Sequence, residues 1–543
     1  MERFLDTYRG ARFDIIVVGG GITGAAVAYE AASRGLSVAL LEKNDFGWAT
    51  SAATSKMIHG GLRYLNNFEL GLVRESLRER RILENIAPNL VYPFPLLIPN
   101  YKKLMTRKSV LNFGLTLYDI LAFDKKRTWD PSKRIPNHST YSRDKTRAIA
   151  PDVKTDGLTG SCVFYDCRSI FPERLTLAFV RSAMRYGAKA ANYATVTGFV
   201  RGPGGRIAGV TVKDTVKRRE MEIHGELVVN CGGPWADIVL NTAKGGANDH
   251  PMKRSEGIHI ITKKLYNEHA VTLQTPEGRH FFILPWRNHA LIGTTDKEFF
   301  GSPDDYRVSR QSVQELIDEV NQSYGDGTLS YDDVLFAYGG LRPLVEQQTA
   351  ETYESSRKYE IHDNAEEGFE GLITVEGGKY TTSRNLADNV LKMVKIKLHR
   401  SLTTSITDRI YLHGCEIKDL EEFVRQVHTA HADFPKNTRE YLARNYGTEC
   451  HAVFDIAREN TALAQPVNGD GEILAQVAYA ARREMALTLN DILFRRTGLG
   501  TLGDPGAKVL NAAAKVAAKE LRWNAARVKK EIATAKKALA LPA

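Results

Sequence analysis

Three stretches of this chain hold residues able to do chemistry, and each is built around glycine. The first is Gly19-Gly20-Gly21-Ile22-Thr23-Gly24, with Ile15-Ile16-Val17-Val18 before it; a small-residue segment, the apolar run Val38-Ala39-Leu40-Leu41 and then Glu42 come after. Gly19 permits a tight turn, Gly21 lets backbone N–H groups approach a pyrophosphate, and Gly24 lets the next helix lie close to its strand. The helix N-terminus then faces the phosphates, and Glu42 falls where an acid takes the two hydroxyls of an adenosine ribose. A βαβ unit without a ligand is the alternative, but flanking strands, helix and acid all agree on a dinucleotide.

The second stretch, residues 49–65, reads ATSAATSKMIHGGLRYL. Ser, Thr and Gly beside Lys56, His59 and Arg63 suit a loop that wraps phosphates and a polar ring system. A plain surface loop explains the Ser and Thr, but not a second diglycine, Gly60-Gly61, followed so soon by Arg63-Tyr64. In the third stretch, Gly371-Leu372-Ile373-Thr374-Val375 is strand-like and Gly377-Gly378-Lys379 opens a helix, whose N-terminal amides suit negative charge.

Other elements must position these residues. A helix over 69–86 turns Leu72, Val73, Leu77, Leu83 and Ile86 to a core and its charges to solvent, and Pro88, Pro93 and Pro95 end it. Residues 101–127 set apolar positions between Lys/Arg clusters, the pattern of an interfacial helix. From Pro172 a helix, strands near Val196 and Val210, and the buried strand Leu227-Val228-Val229-Asn230 lead into Gly232-Gly233. Residues 257–294 alternate as an antiparallel sheet. Beyond about residue 400 the chain is helical, with Arg482-Arg483 and Arg495-Arg496 expected as helix-surface charges at an interdomain contact.

The 543 residues suffice for two or three domains of ordinary soluble α/β composition. No apolar stretch approaches a membrane span, and the N-terminus lacks the apolar core of a secretory signal, so the expected address is cytoplasmic. The five cysteines form no CxxC pair and read as reduced thiols, with no metal site expected. The net charge of +10 is concentrated: residues 101–150 hold twelve Lys/Arg against four Asp, and residues 505–543 nine against two Glu. That suits an anionic surface or substrate; no nucleic-acid motif is present.

The 49–65 segment, after a glycine turn and Leu40-Leu41-Glu42-Lys43, resembles the FAD-dependent glycerol-3-phosphate dehydrogenases, flavoenzymes that pass electrons to the respiratory chain. Gly257-Ile258-His259-Ile260, Leu284-Pro285-Trp286, Ile292-Gly293-Thr294-Thr295-Asp296, Gly340-Leu341-Arg342-Pro343-Leu344 and Gly377-Gly378-Lys379-Tyr380-Thr381-Thr382 extend the likeness over nearly the whole chain. Two departures are Ser383, where the family often has Tyr, and Asn230-Cys231 ahead of Gly232-Gly233-Pro234-Trp235.

The resemblance implies an α/β fold: a discontinuous Rossmann-like FAD-binding domain (12–95, 150–255, 340–398), a mixed-sheet substrate and membrane-facing domain (96–149, 256–339) and a C-terminal helical cap (399–543). It implies noncovalent FAD, contacted by Gly19, Gly21, Ile22, Thr23, Gly24, Glu42, Lys43, Thr50, Ser51, Ser55, Lys56, His59, Gly60, Gly61, Val196, Gly232, Trp235, Gly378, Lys379, Tyr380 and Thr381. Arg63, Tyr64 and Arg357 are implied to hold the phosphate of glycerol 3-phosphate, because a guanidinium fork matches phosphate. Arg342, His259 and Lys379 would line the alcohol end, His259 as proton acceptor and Arg342 as electrostatic support for a developing alkoxide. Expected partners are a quinone acceptor, an anionic membrane surface on the inner face of the cytoplasmic membrane, and a homodimer partner. An oxidase using oxygen, an amine or 2-hydroxy-acid oxidase, and a non-catalytic FAD-binding scaffold are the competing readings.

Overall fold

In the computed structural model, residues 1–65, 67–102, 107–245, 252–265, 267–275, 278–324, 329–344 and 359–543 are described. The glycine turn joins β1 (Phe13–Val18) to α1 (Ile22–Ser33), which returns to β2 (Val38–Leu41). β1 is parallel to β2 on one side (Val17 opposite Leu40) and to strand Arg219–Asn230 on the other (Val17 opposite Val229). Strand Leu372–Gly377 continues the parallel set, Tyr359–Asp363 closes that edge antiparallel, and Lys189–Ala191 extends the other edge beyond β2. Both faces of this sheet are covered, Ile15 and Val17 by helices and Ile16 and Val18 largely by the antiparallel strands Ala194–Arg201 and Ile207–Asp214, so the strand reads as an unbroken apolar run with all four residues buried. The alanines of α1 are also buried, and their small size lets α1 pack closely against helices Pro172–Arg185 and Ser383–Lys397.

The second sheet is mixed and lies over the first. Strand Lys253–Thr262 pairs antiparallel with Val334–Leu344, with Ser255 opposite Arg342, Gly257 opposite Gly340 and His259 opposite Tyr338. Side chains alternate along a strand, so this register gathers His259, Tyr338 and Arg342 on one face. Strands Met57–Ile58, Tyr92–Tyr101 and Leu158–Arg168 hydrogen-bond in this sheet too. These strands fall mostly within stretches expected in the dinucleotide-binding domain, so the chain crosses between layers more often than the expected boundaries allow. Pro93, Pro95 and Pro99 sit inside Tyr92–Tyr101 rather than ending a helix. They occupy alternate positions, so all three missing N–H groups fall on one edge of the strand, where the neighbour Ala270–Gln274 pairs only at Leu96 and Leu97.

The helix after the first crossover is Leu70–Ile86, with the expected apolar face buried. Its charges are not all solvated, which corrects the sequence reading. Glu79 is buried and accepts both arms of Arg384 at 2.7 and 2.6 Å, and buried Arg80 pairs with Asp166. Arg495 and Arg496 depart from expectation in the same way: both are buried, Arg496 completely, whereas Arg482 pairs with Glu520 at the surface as expected. Within 101–127, the described helix Lys108–Leu121 buries Leu115 and Tyr118. It leaves Phe113 and Ile120 exposed at 76% and 63%, with Phe123 just beyond it at 68%. No helix among the described residues is long and apolar enough to cross a membrane. From Leu420 onward the chain is a bundle of helices ending with Ala507–Leu521 and Ala525–Leu539.

Candidate FAD and substrate site

A cavity of ≈ 1440 Å³ runs between the two sheets, starting at the C-terminal ends of β1 and β2. That crevice is where open α/β sheets take ligands. Its floor is the glycine turn, and the glycines there are sterically required. Gly19 adopts φ +102, and a Cβ on it would lie 2.5 Å from the Cys231 carbonyl oxygen. A Cβ on Gly24 would lie 1.9 Å from the Gly19 carbonyl oxygen. Over Gly21 only the Ser51 hydroxyl comes near, at 3.1 Å from a built Cβ, and that hydroxyl accepts from the Ile22 N–H at 2.9 Å. Apart from that hydroxyl no described side chain stands over Gly21, and backbone amides exposed at a helix N-terminus make a pyrophosphate cradle.

Glu42 is buried and accepts from the N–H groups of Gly20 and Asn44, both at 2.7 Å. Burial pushes its carboxyl pKa up, and those two amides only partly offset the effect. Val196, Gly232 and Trp235 line the cavity beyond it, together with residues that carried no motif. Trp48 packs on Trp235 with ring centres 5.6 Å apart, and Lys43 stands 4.7 Å over the Trp235 ring. Asp304, from the second layer, accepts from Lys43 at 2.6 Å and from Trp235 Nε1 at 3.1 Å. Aromatic faces, a ribose acid and amides at a helix end together fit the adenosine and pyrophosphate of FAD.

The other end of the cavity is cationic. The 49–55 loop is pressed onto strand Val334–Leu344, with Thr50 Oγ1 donating to the Leu341 carbonyl at 2.5 Å. Gly257 opens room for Arg342, whose Nη2 sits 1.9 Å from where a Gly257 Cβ would be. Thr294 Oγ1 at 2.6 Å and the Thr295 carbonyl at 3.1 Å fix the guanidinium, and Asp296 lies 3.7 Å away. His259 stacks on Tyr338, its Nε2 is 2.9 Å from Ser55 Oγ, and its buried Nδ1 has no partner among the described residues. Lys379 Nζ lies 3.8 Å from the centre of the Tyr64 ring and donates to Ser76 Oγ at 3.2 Å. Arg63 reaches the Tyr64 hydroxyl at 3.3 Å.

Burial dominates the titration of the histidines here. It pulls His259 well below its ordinary value, with Arg342 and Lys56 adding to the shift. His59 falls to about 4 through burial, which Asp166 counters only in part, with Lys379 and Arg63 pushing the same way as burial. His280, which sequence reasoning missed, also falls to about 4 through burial and then the charge of Arg63. Neutral histidines beside Arg63, Arg342 and Lys379 make a pocket suited to a dianion. Asp166 also lines the cavity, but it is occupied by Arg80, the Tyr118 hydroxyl at 2.7 Å and the Gly60 N–H at 3.2 Å.

Ile22, Thr23, Thr50, Ser51, Ser55, Gly61, Gly378, Tyr380 and Thr381 line the cavity as well. Gly24 lies under the turn and Gly60 is packed against Tyr118 and Leu77, so neither faces the cavity. Lys56 turns its ammonium away, into a buried pair with Glu173 at 2.6 Å. Arg357 lies outside the described residues. Gly377 and Gly378 adopt φ +70 and +93, and the helix they were expected to open starts one turn later, at Ser383.

Residues 14–381 match the family of FAD dependent oxidoreductases, and residues 405–528 match the C-terminal domain of alpha-glycerophosphate oxidase. A glycerol-3-phosphate dehydrogenase of Synechocystis is 32% identical over 534 residues, which cover 96% of this chain and 95% of that protein. The aerobic glycerol-3-phosphate dehydrogenase of Bacillus subtilis is 31% identical over 508 residues, 92% of this chain and 89% of that one. Among solved structures, the glycerol-3-phosphate dehydrogenase from Bacillus halodurans complexed with FAD aligns at a TM-score of 0.76 with 25% identity, over 97% of this chain and 94% of that chain. The chain belongs to the FAD-dependent oxidoreductases and, within them, to the glycerol-3-phosphate dehydrogenase family.

All five cysteines are free and buried, and the described residues contain no cluster that could hold a metal ion. Cys231 is the cysteine lining the described cavity, on the turn side, and burial pushes its thiol up to about 12. A protonated thiol is a poor nucleophile, so the cofactor is expected to be held without a covalent bond. Acid precipitation should release all the yellow colour into the supernatant. Colour retained in the pellet would contradict this.

Proposed function

We propose that this enzyme oxidises sn-glycerol 3-phosphate to dihydroxyacetone phosphate and delivers the electrons to a quinone. The observation that carries the reading is that Arg63, Arg342 and Lys379 line the same cavity as the dinucleotide turn, Arg63 and Lys379 beside His59 and Arg342 beside His259. Bound FAD supplies the acceptor for the hydride that leaves C2. Arg63 and Tyr64 hold the phosphate and so fix the distance of C2 from the turn. His259, held neutral by burial and by Arg342 and Lys56, is the acceptor for the hydroxyl proton; the same surroundings make it a weak base, so the negative charge of bound substrate is what must offset them for it to hold that proton. Arg342, already oriented by Thr294 and Thr295, meets the negative charge growing on the C2 oxygen. Lys379 adds positive charge beside the same oxygen. In the absence of oxygen, glycerol 3-phosphate should bleach the yellow protein while glycerol, 2-hydroxy acids and amines do not. Bleaching by an amine or a 2-hydroxy acid in preference would overturn the substrate. Recolouring faster with oxygen than with a soluble quinone would overturn the acceptor.

The phosphate keeps its charge throughout the reaction, so Arg63→Ala should raise the substrate dissociation constant by on the order of tenfold to a hundredfold while slowing the saturated rate much less. Anaerobic rapid mixing over a range of substrate concentrations measures both terms. A loss confined to the saturated rate would reassign Arg63.

The proposed meeting place with quinone is a membrane surface, reached through helix Lys108–Leu121. Its exposed Phe113 and Ile120, with Phe123 and the lysines and arginines around them, form an apolar face with a basic surround. Each Lys or Arg near anionic lipid contributes about 1 kcal/mol, and burial of the aromatic side chains adds to it. The protein should float with anionic liposomes at low salt and be retained in part at high salt. Failure to float at low salt would reject membrane docking, and complete release by salt would reject the apolar contribution.

A further inference from the structure

Residues 42–47 run along the adenosine end of the cavity and are tied at every turn to their surroundings. The Glu42 N–H donates to the Ala191 carbonyl at 2.9 Å, the Ala194 N–H to Glu42 at 2.8 Å, the Tyr193 N–H to Asn44 at 2.8 Å, and the Gly47 N–H to Gly20 at 2.9 Å. Three segments are thus one hydrogen-bonded unit: the glycine turn, 42–47 and 191–194. Each contributes cavity-lining residues, among them Gly19, Glu42 and Ala194, which leads on to Val196.

The back of this unit is held by the C-terminal domain. Asp45 is completely buried and accepts from Arg496 Nη2 at 2.7 Å and Nη1 at 2.9 Å, from Arg495 Nε at 2.7 Å and from Asn192 Nδ2 at 3.1 Å. Arg495 Nη2 also donates to Asp491 at 2.8 Å, and Asp491 accepts from the Tyr193 hydroxyl at 2.6 Å. The C-terminal domain therefore grips both loops, 42–47 through its arginines and 191–194 through Asp491. Consecutive residues of an α-helix point about 100° apart, so two neighbouring arginines cannot normally serve one carboxylate. Here they lie at the end of a π-helical segment, Ile492–Arg496, a widened turn of the kind that recurs at functional sites. The Arg496 Nε is anchored on the Glu484 carbonyl at 3.0 Å, and Glu484 is itself paired with Arg174 at 2.9 Å.

We propose that Arg495 and Arg496 are positioning residues for the FAD site: by clamping Asp45 they hold Glu42 and the 191–194 strand end in the geometry that receives the adenosine half of the cofactor. The C-terminal domain, which contributes no side chain to the cavity among the described residues, is then a determinant of cofactor affinity. The inference rests on FAD lying with its adenosine at Glu42.

The test titrates apoprotein with FAD and with ADP, which carries the adenosine and pyrophosphate but no flavin. Arg496→Lys keeps the charge and loses the two-pronged grip, and should raise the dissociation constants of FAD and ADP by about tenfold or more. Once FAD is saturating, the substrate KM and the limiting rate should stay within about twofold of the parent, because Arg63, His259 and Arg342 lie on other elements. A folded Arg496→Lys protein with parental FAD and ADP affinity would overturn the proposal. So would an equal loss in KM, limiting rate and FAD affinity, the signature of general loosening. If Arg496→Lys fails to fold, Tyr193→Phe and Asn192→Ala, which remove the uncharged donors to Asp491 and Asp45 together with their bonds to Thr488 and Met485, should weaken FAD and ADP together by a few-fold. Parental affinity in both would overturn the proposal just as firmly. Glu42→Ala separates the premise from the inference. If it binds FAD normally, the placement of adenosine is wrong, whereas if it loosens FAD and Arg496→Lys does not, only the clamp falls.

Discussion

Arg342→Ala is expected to lower the limiting rate of anaerobic cofactor bleaching by roughly tenfold to a hundredfold or somewhat more, with a smaller change in substrate dissociation constant. The reason is timing. Negative charge appears on the C2 oxygen only as the hydroxyl proton leaves, so a guanidinium beside that atom gains interaction on the way to the transition state. Such a guanidinium must be held before substrate arrives, and Thr294 and Thr295 hold it. The space it occupies exists because position 257 is glycine, since any Cβ there would collide with Nη2. Gly257→Ala should therefore reproduce part of the rate loss without removing any charge, by pushing the guanidinium off its place. Rapid mixing at saturating substrate reads both variants. An Arg342→Ala protein with the parental limiting rate and only weakened binding would place Arg342 on the phosphate instead.

Gly24→Val is expected to yield colourless protein. The helix starts against the turn it follows, with the built Cβ at 1.9 Å from one carbonyl oxygen and 3.0 Å from its carbon, and both belong to backbone that cannot swing aside. To admit a side chain the helix must retreat, carrying its amides off the pyrophosphate, and losing one such charge-assisted contact costs on the order of tenfold to a hundredfold in affinity. Gly35→Ala is the matching control. Gly35 has φ +91 but nothing within 4 Å of a built Cβ, so the substitution strains the backbone without moving the turn. FAD titration of the two apoproteins should separate them by that factor. Equal affinities would mean that close helix packing does not set the phosphate site.

The dinucleotide unit was legible because its parts lie side by side in sequence: strand, turn, helix, strand and acid within about thirty residues. Leu227-Val228-Val229-Asn230 was legible for the same reason, as an unbroken apolar run ahead of a diglycine. What could not be read depended on partners far along the chain. Glu79 looked like a solvated helix charge until Arg384 met it, and Lys56 looked cofactor-facing until Glu173 took its ammonium. Asp45, an unremarkable acid in a loop, gives no hint that Arg495 and Arg496 close on it from 450 residues away. The strand Tyr92–Tyr101 was hidden by its prolines, because a reading based on local propensity treats them as breaks whatever edge they occupy. Asp166, His280 and Asp304 are lone polar residues with no spacing to mark them, and only the crossing of the two layers brings the first two to the cavity and the third to Lys43 and Trp235 on its wall.

The buried cysteines have a consequence for how the protein ages. Enzymes that handle electron pairs beside air leak some of them to oxygen, and the hydrogen peroxide that results attacks thiolate rather than thiol. Burial raises the thiols of Cys162 and Cys167, and brings those of Cys231 and Cys450 to about 12. Cys415 shifts in the same direction. At neutral pH the chain therefore offers almost no thiolate, and the oxidant its own turnover can generate is left with the methionine thioethers, rather than the cysteines, as its sulfur targets.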